Sequence, residues 1–539
     1  MAKRYRPVNR DQGFLLPPDM RDWLPGDHPV HLLIRVVERH LDTSAFHSRR
    51  KTGGAGAAGY DPDMVVTVLA WAYAQGVTSS RRIEQLCATD VAFRLICAGN
   101  LPDHATIARF RAAFPEAIAE FFAQVLALCA ELGMGRLGTV TLDGMKIAAW
   151  ASKSANRTEE RLRKMAGEAV AAHAAAGTAE HDLFGEPRGD EVPEDAWRPG
   201  SRDERIAAAL ASLAAGRQAA EAGRAKTEQE HLADAAAGKP RRGSRPAAAD
   251  VELAAMKLER ARAAQQAKID DWQARNAASL AGRPLRGSPP VPARQFVRVR
   301  EAAAKLEAAR RRQAGKAARD TARAATRKGP GPVRNITDPH SRLMPVRGGG
   351  FIQGYNAQNV TSQDGLIIAT RLTASTTDTG WFEPMVRAAE DAAALIAAHR
   401  PAGNDGPGIG RILADAGYCS EHNLTIDGPD RLIATGKHRD VEKTARDDQP
   451  ASRELAGPAT AAMTGRLKTQ DGITAYRQRG HIAETPHGHI KHNMRFRQLS
   501  LRGNTRAAAE WDFACAVHNL FKAITTRHLT PAALNALPA

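Results

Sequence analysis

The stretch Thr139-Val140-Thr141-Leu142-Asp143-Gly144 indicates the fold of this chain most directly. Its valine and leucine alternate with threonines, which is the period-two pattern of a β-strand. The strand is predicted to end at Asp143, because a glycine follows at once. A second stretch, Arg411-Ile-Leu-Ala-Asp-Ala-Gly-Tyr418, repeats this arrangement and ends its apolar run at Asp415. Two buried strands that each present a carboxylate predict an α/β domain with an acidic site.

The elements around Asp415 complete this α/β domain. A hairpin is predicted from two strand patterns that meet at Asp364-Gly365, a pair that favours tight turns. The predicted elements in chain order are strands at 353–361 and 366–374, a helix at 381–398, strands at 412–414, 431–435 and 473–477, and a closing helix at 510–524. This is the element order of an RNase H-like mixed sheet flanked by helices.

The chain before the first strand is predicted to be all-α. Apolar residues recur there every three to four positions, as in amphipathic helices. Two segments, 78–84 and 102–111, each combine a short turn with a basic helix, and this resembles helix-turn-helix packing. Arg81, Arg109 and Arg111 are therefore candidate DNA-binding residues. The alternative is that these arginines only solvate a helix face.

A long insert rich in alanine and arginine follows the first strand. Three helices are predicted at 203–235, 250–279 and 297–327, joined by Gly/Pro-rich linkers at 184–202, 237–249 and 281–294. The sevenfold spacing of Val251, Leu258, Gln265 and Trp272 favours a coiled-coil seam. The basic block at 305–334 is either a solvated helix face or a surface that binds a DNA backbone.

The predicted domain division follows from these patterns. It consists of a helical DNA-binding domain at 1–135, the first catalytic strand at 136–155, the insert at 156–332, the rest of the catalytic domain at 333–528 and a tail at 529–539. With 539 residues, the chain is long enough for several domains.

The overall composition favours a nucleic-acid partner and a reducing compartment. The formal net charge is +17, which suits a protein that neutralises phosphates. The five cysteines are scattered without CxxC spacing, so neither a disulfide framework nor a structural zinc site is predicted. No signal peptide or membrane-spanning run is evident, and we expect a soluble cytoplasmic protein without a membrane partner.

Three acidic residues fit the chemistry of phosphodiester cleavage. Asp143, Asp415 and Glu484 are the candidate catalytic residues and metal ligands, because two Mg²⁺ ions with hard oxygen ligands support that reaction. Asp143 would bridge both ions, Asp415 would hold one and Glu484 the other, with Mn²⁺ as an alternative metal. Lys491 follows Glu484 by seven positions, so the two share a face if the segment is helical. Pro486 favours placing Glu484 at a helix start or before a kink.

Each acidic residue also has a simpler interpretation. An aspartate before glycine is commonly a turn former, and Glu484 can pair with a nearby arginine. Glu510 is a rival third ligand. Asp338 and Asp378 are interpreted as turn and cap residues, and Cys419 as inert.

Motifs along nearly the whole chain outside the insert resemble a known family. They are Phe14-Leu-Leu-Pro-Pro18, His28, Gly59-Tyr-Asp-Pro62, Gly76-Val-Thr-Ser-Ser-Arg81, Ile83-Glu84, Pro102-Asp-His-Ala-Thr-Ile107, Phe110-Arg111, Asp143-Gly-Met-Lys-Ile147, Thr337-Asp-Pro-His-Ser-Arg342, Gly354-Tyr-Asn-Ala-Gln358, Asp415-Ala-Gly-Tyr418, Tyr476/Arg479/Glu484/Lys491, Leu501-Arg-Gly503 and His518-Asn-Leu520. Jointly they resemble the DDE transposases of bacterial insertion sequences, in the branch with an InsH-like N-terminal domain.

This resemblance implies a function and its site residues. Asp143, Asp415 and Glu484 would be the catalytic acids, and Tyr476, Arg479 and Lys491 would contact DNA near the cut. The implied activity is metal-dependent cleavage at the terminal inverted repeats of the element and strand transfer into target DNA, with a homodimer in the synaptic complex. Two alternatives stay open: an RNase H-like nuclease without strand transfer, and a non-catalytic DNA-binding protein derived from a transposase.

Overall fold

The computed structural model describes residues 19–48, 59–180, 201–236, 247–278, 288–326, 332–346, 348–401, 408–436 and 457–537. The motif at 14–18 lies outside the described residues. So do most of the linker predicted at 184–202 and parts of those predicted at 237–249 and 281–294, together with 327–331 of the basic block and the last two residues of the tail.

A six-stranded mixed sheet forms the centre of the fold. Its strands are β1 Thr139–Ala148, β4 Arg342–Pro345, β5 Phe351–Thr361, β6 Ile367–Thr373, β7 Arg411–Ala414 and β8 Asp430–Ile433, and β2 Asn156–Thr158 pairs separately with β3 Val333–Asn335. β5 runs antiparallel to β1 and β6, whereas β7 runs parallel to both β1 and β8. The four antiparallel strands β1, β4, β5 and β6, extended by the parallel strands β7 and β8, fit the predicted α/β RNase H-like fold.

β1 extends beyond the predicted strand end. Asp143 pairs with Asn359 of β5, and the pairing continues to Ala148 opposite Gly354. The prediction that the strand ends at Asp143 is therefore wrong, and Asp143 lies in the middle of a ten-residue strand. The predicted hairpin between β5 and β6 is confirmed. Gly365 adopts a φ of +86° in its turn, a conformation that glycine tolerates without steric cost.

Seven helices precede the sheet among the described residues. They are α1 Pro29–Arg39, α2 Ser44–His47, α3 Pro62–Ala74, α4 Ser80–Thr89, α5 Val91–Cys97, α6 His104–Ala113 and α7 Pro115–Glu131. Their aromatic residues pack directly on the C-terminal part of the chain. The Phe513 ring lies 5.5 Å from that of Phe121 and 5.3 Å from that of Tyr73, centroid to centroid. One continuous apolar core thus joins these helices to the sheet.

The insert forms long helices. They are α8 Glu159–Glu180, α9 Arg202–Ala236, α10 Ala247–Ala278 and α11 Val297–Thr326, of which α8 was not predicted. α10 and α11 pack through Leu258, Val299 and Leu306. Gln265 is buried in the same region, where its side-chain amide donates a hydrogen bond to the carbonyl of Val291 at 2.7 Å. The coiled-coil seam itself stays a prediction.

The C-terminal part adds helices on the sheet. They are α12 Phe382–His399, α13 Glu421–Thr425, α14 Pro458–Lys468, α15 Gln470–Gly488, α16 Asn504–Thr525 and α17 Pro531–Ala536. The strand predicted at 473–477 is wrong, because this segment belongs to α15. The Thr469 side chain caps the helix by accepting a hydrogen bond from the Gly472 amide at 3.0 Å. Ala475 then packs with Leu413 and Leu432 of the sheet.

The end of α15 departs from the predicted geometry. Glu484 lies near the C-terminal end of the helix, so of its two predicted positions the one at a helix start is wrong, and the one before a kink stays a prediction. Pro486 lies inside the helix, and α15 continues to Gly488 before a π-helical turn at His489–Asn493. A proline removes one helical hydrogen bond, and π turns widen a helix locally. Lys491 stands on this wider turn.

A membrane-spanning helix must be both long and apolar. No single helix of the described residues meets both requirements. α6 and α7 do so only as a pair, and this pair is bent by 78°.

Candidate active site

Asp143 and Asp415 lie side by side on parallel strands. Leu142 of β1 is in register with Ala414, the last residue of β7, and each of the two aspartates directly follows one of these residues. Asp415 is held in place because its Oδ1 accepts a hydrogen bond from the Gly417 amide at 2.8 Å. The predicted convergence of these two aspartates is thus present in the structure.

Helix α15 covers the two aspartates and brings the remaining predicted residues to them. The Tyr476 hydroxyl donates to the carbonyl of Ala414 at 3.1 Å, directly before Asp415. Nη1 of Arg479 lies 3.6 Å from Oδ1 of Asp143. Glu484 is exposed on the same helix and close enough to Asp143 to affect its ionisation.

The carboxylates influence one another electrostatically. Burial raises the pKa of Asp143; the Arg479 guanidinium opposes this effect, and the charges of Asp378 and Glu484 reinforce it. Burial also raises the pKa of Asp415, and the neighbouring Asp143 raises it further. Desolvation and like charges both disfavour the ionised form of a carboxyl group. The ionised site therefore has an excess of negative charge that a cation would offset.

A fourth carboxylate, Asp378, belongs to this cluster. Its Oδ1 accepts hydrogen bonds from Asn356 Nδ2 at 2.6 Å and from Gln358 Nε2 at 2.7 Å, and lies 3.8 Å from Nζ of Lys146. Asp378 occupies the position before the 3₁₀ turn Thr379–Trp381, yet its side chain does not cap that turn. Asp378 is thus the N-cap residue by position, as interpreted, and its backbone carbonyl accepts from the Trp381 amide, but its carboxylate faces the acidic site.

His487 and Lys491 complete the surroundings of Asp143. His487 Nδ1 lies 3.6 Å from Asp143 Oδ2. Burial, together with the positive charges of Lys491 and Arg479, lowers the pKa of His487 to about 4, so its ring is neutral near pH 7. Burial also lowers the pKa of Lys491, whereas the charge of Asp143 raises it. His487 and Lys146 were not predicted, since neither has a sequence signal of its own.

The donor set fits hard divalent cations. Asp143, Asp415 and Glu484 offer only carboxylate oxygens, which Mg²⁺ and Mn²⁺ accept. Among the described residues, ligand atoms that all lie within 4.8 Å of one another occur in one group, His47 with Asp61 and Asp63. The three acids of the site are thus more widely spaced.

Two other residues do not have their suggested roles. Arg111 is buried, and its Nη1 donates hydrogen bonds to the carbonyl of Thr78 at 2.6 Å and to the Tyr73 hydroxyl at 3.3 Å. A guanidinium in that position cannot reach DNA, so the predicted DNA contact of Arg111 is wrong. Glu510 is also buried, and it accepts hydrogen bonds from the Ser500 and Leu501 amides and from Tyr73. Its oxygens are therefore already used, and it is no rival ligand.

The other two predicted arginines are on the surface. Arg81 is exposed in the first turn of α4, and Arg109 is exposed on α6. α6 also lines a cleft of about 1160 Å³ between the N-terminal helices, the insert helix α9 and the loop before α16. Arg109, Arg205 and Arg502 lie along this cleft.

Two segments of the chain are similar to known protein families. Residues 18–113 match the family described as Transposase domain (DUF772), and residues 443–524 match the family described as Transposase DDE domain. The second match includes Tyr476, Arg479, Glu484 and Lys491, whereas Asp143 and Asp415 lie outside it. Neither a curated protein nor a solved structure matches the chain.

Proposed function

Because its two matched segments make this chain a DDE-type insertion-sequence transposase, we propose that it cuts DNA at the ends of its own element and joins those ends to target DNA. The observation that carries this proposal is the position of Asp143 and Asp415 beneath α15, directly after the paired residues Leu142 and Ala414 of two adjacent parallel strands. Glu484 on that helix supplies the third acid.

The proposed reaction consists of two successive attacks on phosphorus. In the first, water attacks a phosphodiester at the element end and releases a 3′ hydroxyl. In the second, this hydroxyl attacks a target phosphodiester, so that one ester bond forms as another breaks. DDE transposases generally use divalent metal ions, and such ions stabilise the attacking and leaving oxygens. We infer two Mg²⁺ ions, with Mn²⁺ as an alternative, held by Asp143, Asp415 and Glu484.

The cationic residues of the site suit a phosphate backbone. Arg479 and Lys491 both lie beside Asp143, where they would bind phosphate oxygens next to the scissile bond. Tyr476 would act differently, because the proton of its hydroxyl is already donated to the Ala414 carbonyl. The cationic neighbours also limit repulsion between the DNA and the acids.

DNA away from the cut would follow the basic surface. Arg81 and Arg109 are exposed and would contact the terminal inverted repeats, and the cleft lined by Arg109, Arg205 and Arg502 offers a path for the backbone. Because both ends of an element must be brought together, we propose that a homodimer forms the synaptic complex.

A cleavage assay tests this proposal. Duplexes carrying the inverted repeats that flank the gene are incubated with the full chain and Mg²⁺. We expect nicks at the repeat ends that leave 3′ hydroxyls. Asp143→Asn and Glu484→Gln should abolish cleavage but leave repeat binding nearly intact. Asp471→Asn is the matched control, because Asp471 lies in the first turn of α15, is exposed and pairs with Arg411.

A second assay separates the alternatives. Pre-nicked repeat ends are incubated with a supercoiled target plasmid, and joined products are counted. Cleavage without joining would indicate a nuclease that lacks strand transfer. Repeat binding with neither reaction would indicate a non-catalytic DNA-binding protein. Metal-dependent cleavage by the Asp143→Asn protein would contradict the assignment of the site.

A further inference from the structure

A chain of hydrogen bonds leads from the core to His487, whose ring lies next to Asp143. Trp511 is fully buried on α16, and its indole Nε1 lies 2.7 Å from the Thr370 hydroxyl. Thr370 Oγ1 lies 2.7 Å from Asn359 Oδ1, and Asn359 Nδ2 lies 3.3 Å from His487 Nε2. His487 Nδ1 then faces Asp143 Oδ2 at 3.6 Å.

Trp511 sets the direction of every bond in this chain. An indole N–H can only donate, so Thr370 Oγ1 accepts from it and must turn its own proton elsewhere. The Thr370 hydroxyl therefore donates to Asn359 Oδ1. The same oxygen also lies 3.3 Å from Trp511 Nε1, which excludes the flipped amide, because two donors would then face each other. The orientation of Asn359 is thus determined by its neighbours.

The orientation of Asn359 determines the tautomer of His487. Asn359 presents its amide N–H₂ to Nε2 of the ring, so Nε2 must be the acceptor. In a neutral imidazole the proton is then on Nδ1, and Nδ1 is the atom directed at Asp143. Asp143 Oδ2 thus faces a donor, while its Oδ1 faces Arg479. The two oxygens of this carboxylate have different neighbours.

We propose that His487 is a positioning residue, whose Nδ1–H is directed at Asp143 Oδ2 across 3.6 Å and restricts the rotation of this carboxylate for cation binding. The inference rests on the proposed role of Asp143 as a ligand of the divalent ion. Polar groups that surround a metal ligand orient it, and their loss weakens metal binding about 10–100-fold. Trp511 and Asn359 are buried and are joined through Thr370, and this hydrogen-bonded chain supports the His487 ring.

We call the hydrogen-bonded chain Trp511–Thr370–Asn359–His487 the relay. Two measurements without DNA test it. Side-chain ¹⁵N spectra of the metal-free, ¹⁵N-histidine-labelled chain should show the signals of a ring with Nδ1 protonated and Nε2 unprotonated. These signals should be absent from the spectra of His487→Phe. Mn²⁺ binding, followed by calorimetry, should weaken about 10–100-fold in His487→Phe. His487→Asn keeps an amide donor near the Nδ1 position and should bind Mn²⁺ more tightly than His487→Gln, whose amide replaces Nε2.

A variant of the relay itself adds a sharper test. Asn359→Asp replaces the donor that faces Nε2 by an acceptor, so Nε2 should become protonated and the ¹⁵N signature should change. His492→Phe serves as the control, because His492 is exposed beside Arg497. Melting curves establish that each variant is folded.

The outcomes separate the relay from the proposed function. An Nε2-protonated ring in the wild type, or wild-type Mn²⁺ affinity in a folded His487→Phe protein, would overturn the relay even if the chain cleaves DNA. Conversely, if the spectra and Mn²⁺ affinities follow the expectation but the wild type does not cleave repeat DNA, the relay stands and the proposed function fails.

Discussion

The carboxylate of Asp378 occupies the space beside Gly144 that any larger residue would need. A Cβ atom at position 144 would lie 2.8 Å from Asp378 Oδ1 and equally close to Gln358 Nε2. Glycine in this motif therefore does not form a turn. It allows a carboxylate from the loop after β6 to approach the middle of β1, next to Asp143.

The first prediction concerns this close approach. Gly144→Ala should displace Asp378, lower the free energy of unfolding by about 1–3 kcal/mol and strongly reduce cleavage of repeat DNA. Thermal unfolding and the cleavage assay measure the two effects. Gly138→Ala is the control, since a Cβ there would meet only Gln363 Oε1 at 3.9 Å. Equal effects of the two substitutions would contradict the proposed contact.

The second prediction uses the charge of Asp378. This charge raises the pKa of both Asp143 and Asp415, after the larger effect of burial. Asp378→Asn should therefore lower both pKa values, so the acidic limb of the pH–rate profile for cleavage should move to lower pH. Asp391→Asn, at an exposed position of α12, should leave the limb unchanged. A limb that moves to higher pH in Asp378→Asn would refute this explanation.

The third prediction concerns stability. Because burial raises the folded-state pKa of Asp143 and Asp415, these groups hold protons more tightly when folded. Their contribution to the free energy of unfolding is most favourable at low pH. It is lost as the pH rises through the raised pKa values. Metal-free Asp143→Asn protein should therefore be at least as stable as the wild type at pH 7. Added Mg²⁺ should raise the melting temperature of the wild type and of Asp471→Asn, but not of Asp143→Asn. A clearly lower melting temperature of metal-free Asp143→Asn than of the wild type at pH 7 would contradict this explanation.

The fourth prediction contrasts two arginines of α6. Arg111→Met should lower the free energy of unfolding by about 3 kcal/mol or more, because it leaves Glu510 and Tyr73 buried without their cation. Arg109→Met should leave stability unchanged and weaken repeat binding. The slope of the logarithm of the binding constant against the logarithm of the salt concentration should become smaller in magnitude by about 1. Melting curves and binding at several salt concentrations measure these effects. If Arg111→Met instead weakened binding in a fully stable protein, Arg111 would be a DNA contact after all.

Part of this site could be predicted from the sequence because its signals are local. Asp143 and Asp415 each follow an apolar run, and parallel strands bring such residues to neighbouring positions. The hairpin at Asp364-Gly365 likewise has its signal in two adjacent residues, and it is confirmed.

Other features depend on contacts between distant parts of the chain. Asp378 follows no apolar run, and only the folded hairpin brings Asn356 and Gln358 to its carboxylate. The strand predicted at 473–477 is wrong because its short alternation is also compatible with a helix, and the packing of Ala475 on Leu413 favours the helix. Arg111 resembles a surface arginine in sequence, and its burial depends on Tyr73 and Glu510, which are distant in the chain.

We propose that Asp143, Asp415 and Glu484 surround a shared pair of cation positions. Loading the full chain with Fe²⁺ and adding ascorbate and peroxide tests it directly, since hydroxyl radicals cut the backbone beside bound iron. We predict cuts near all three acids and near Asp378, suppressed by excess Mg²⁺ and by Asp143→Asn. Cuts beside only one of these residues, or cuts that neither Mg²⁺ nor the substitution suppresses, would show that the acids do not share these cations.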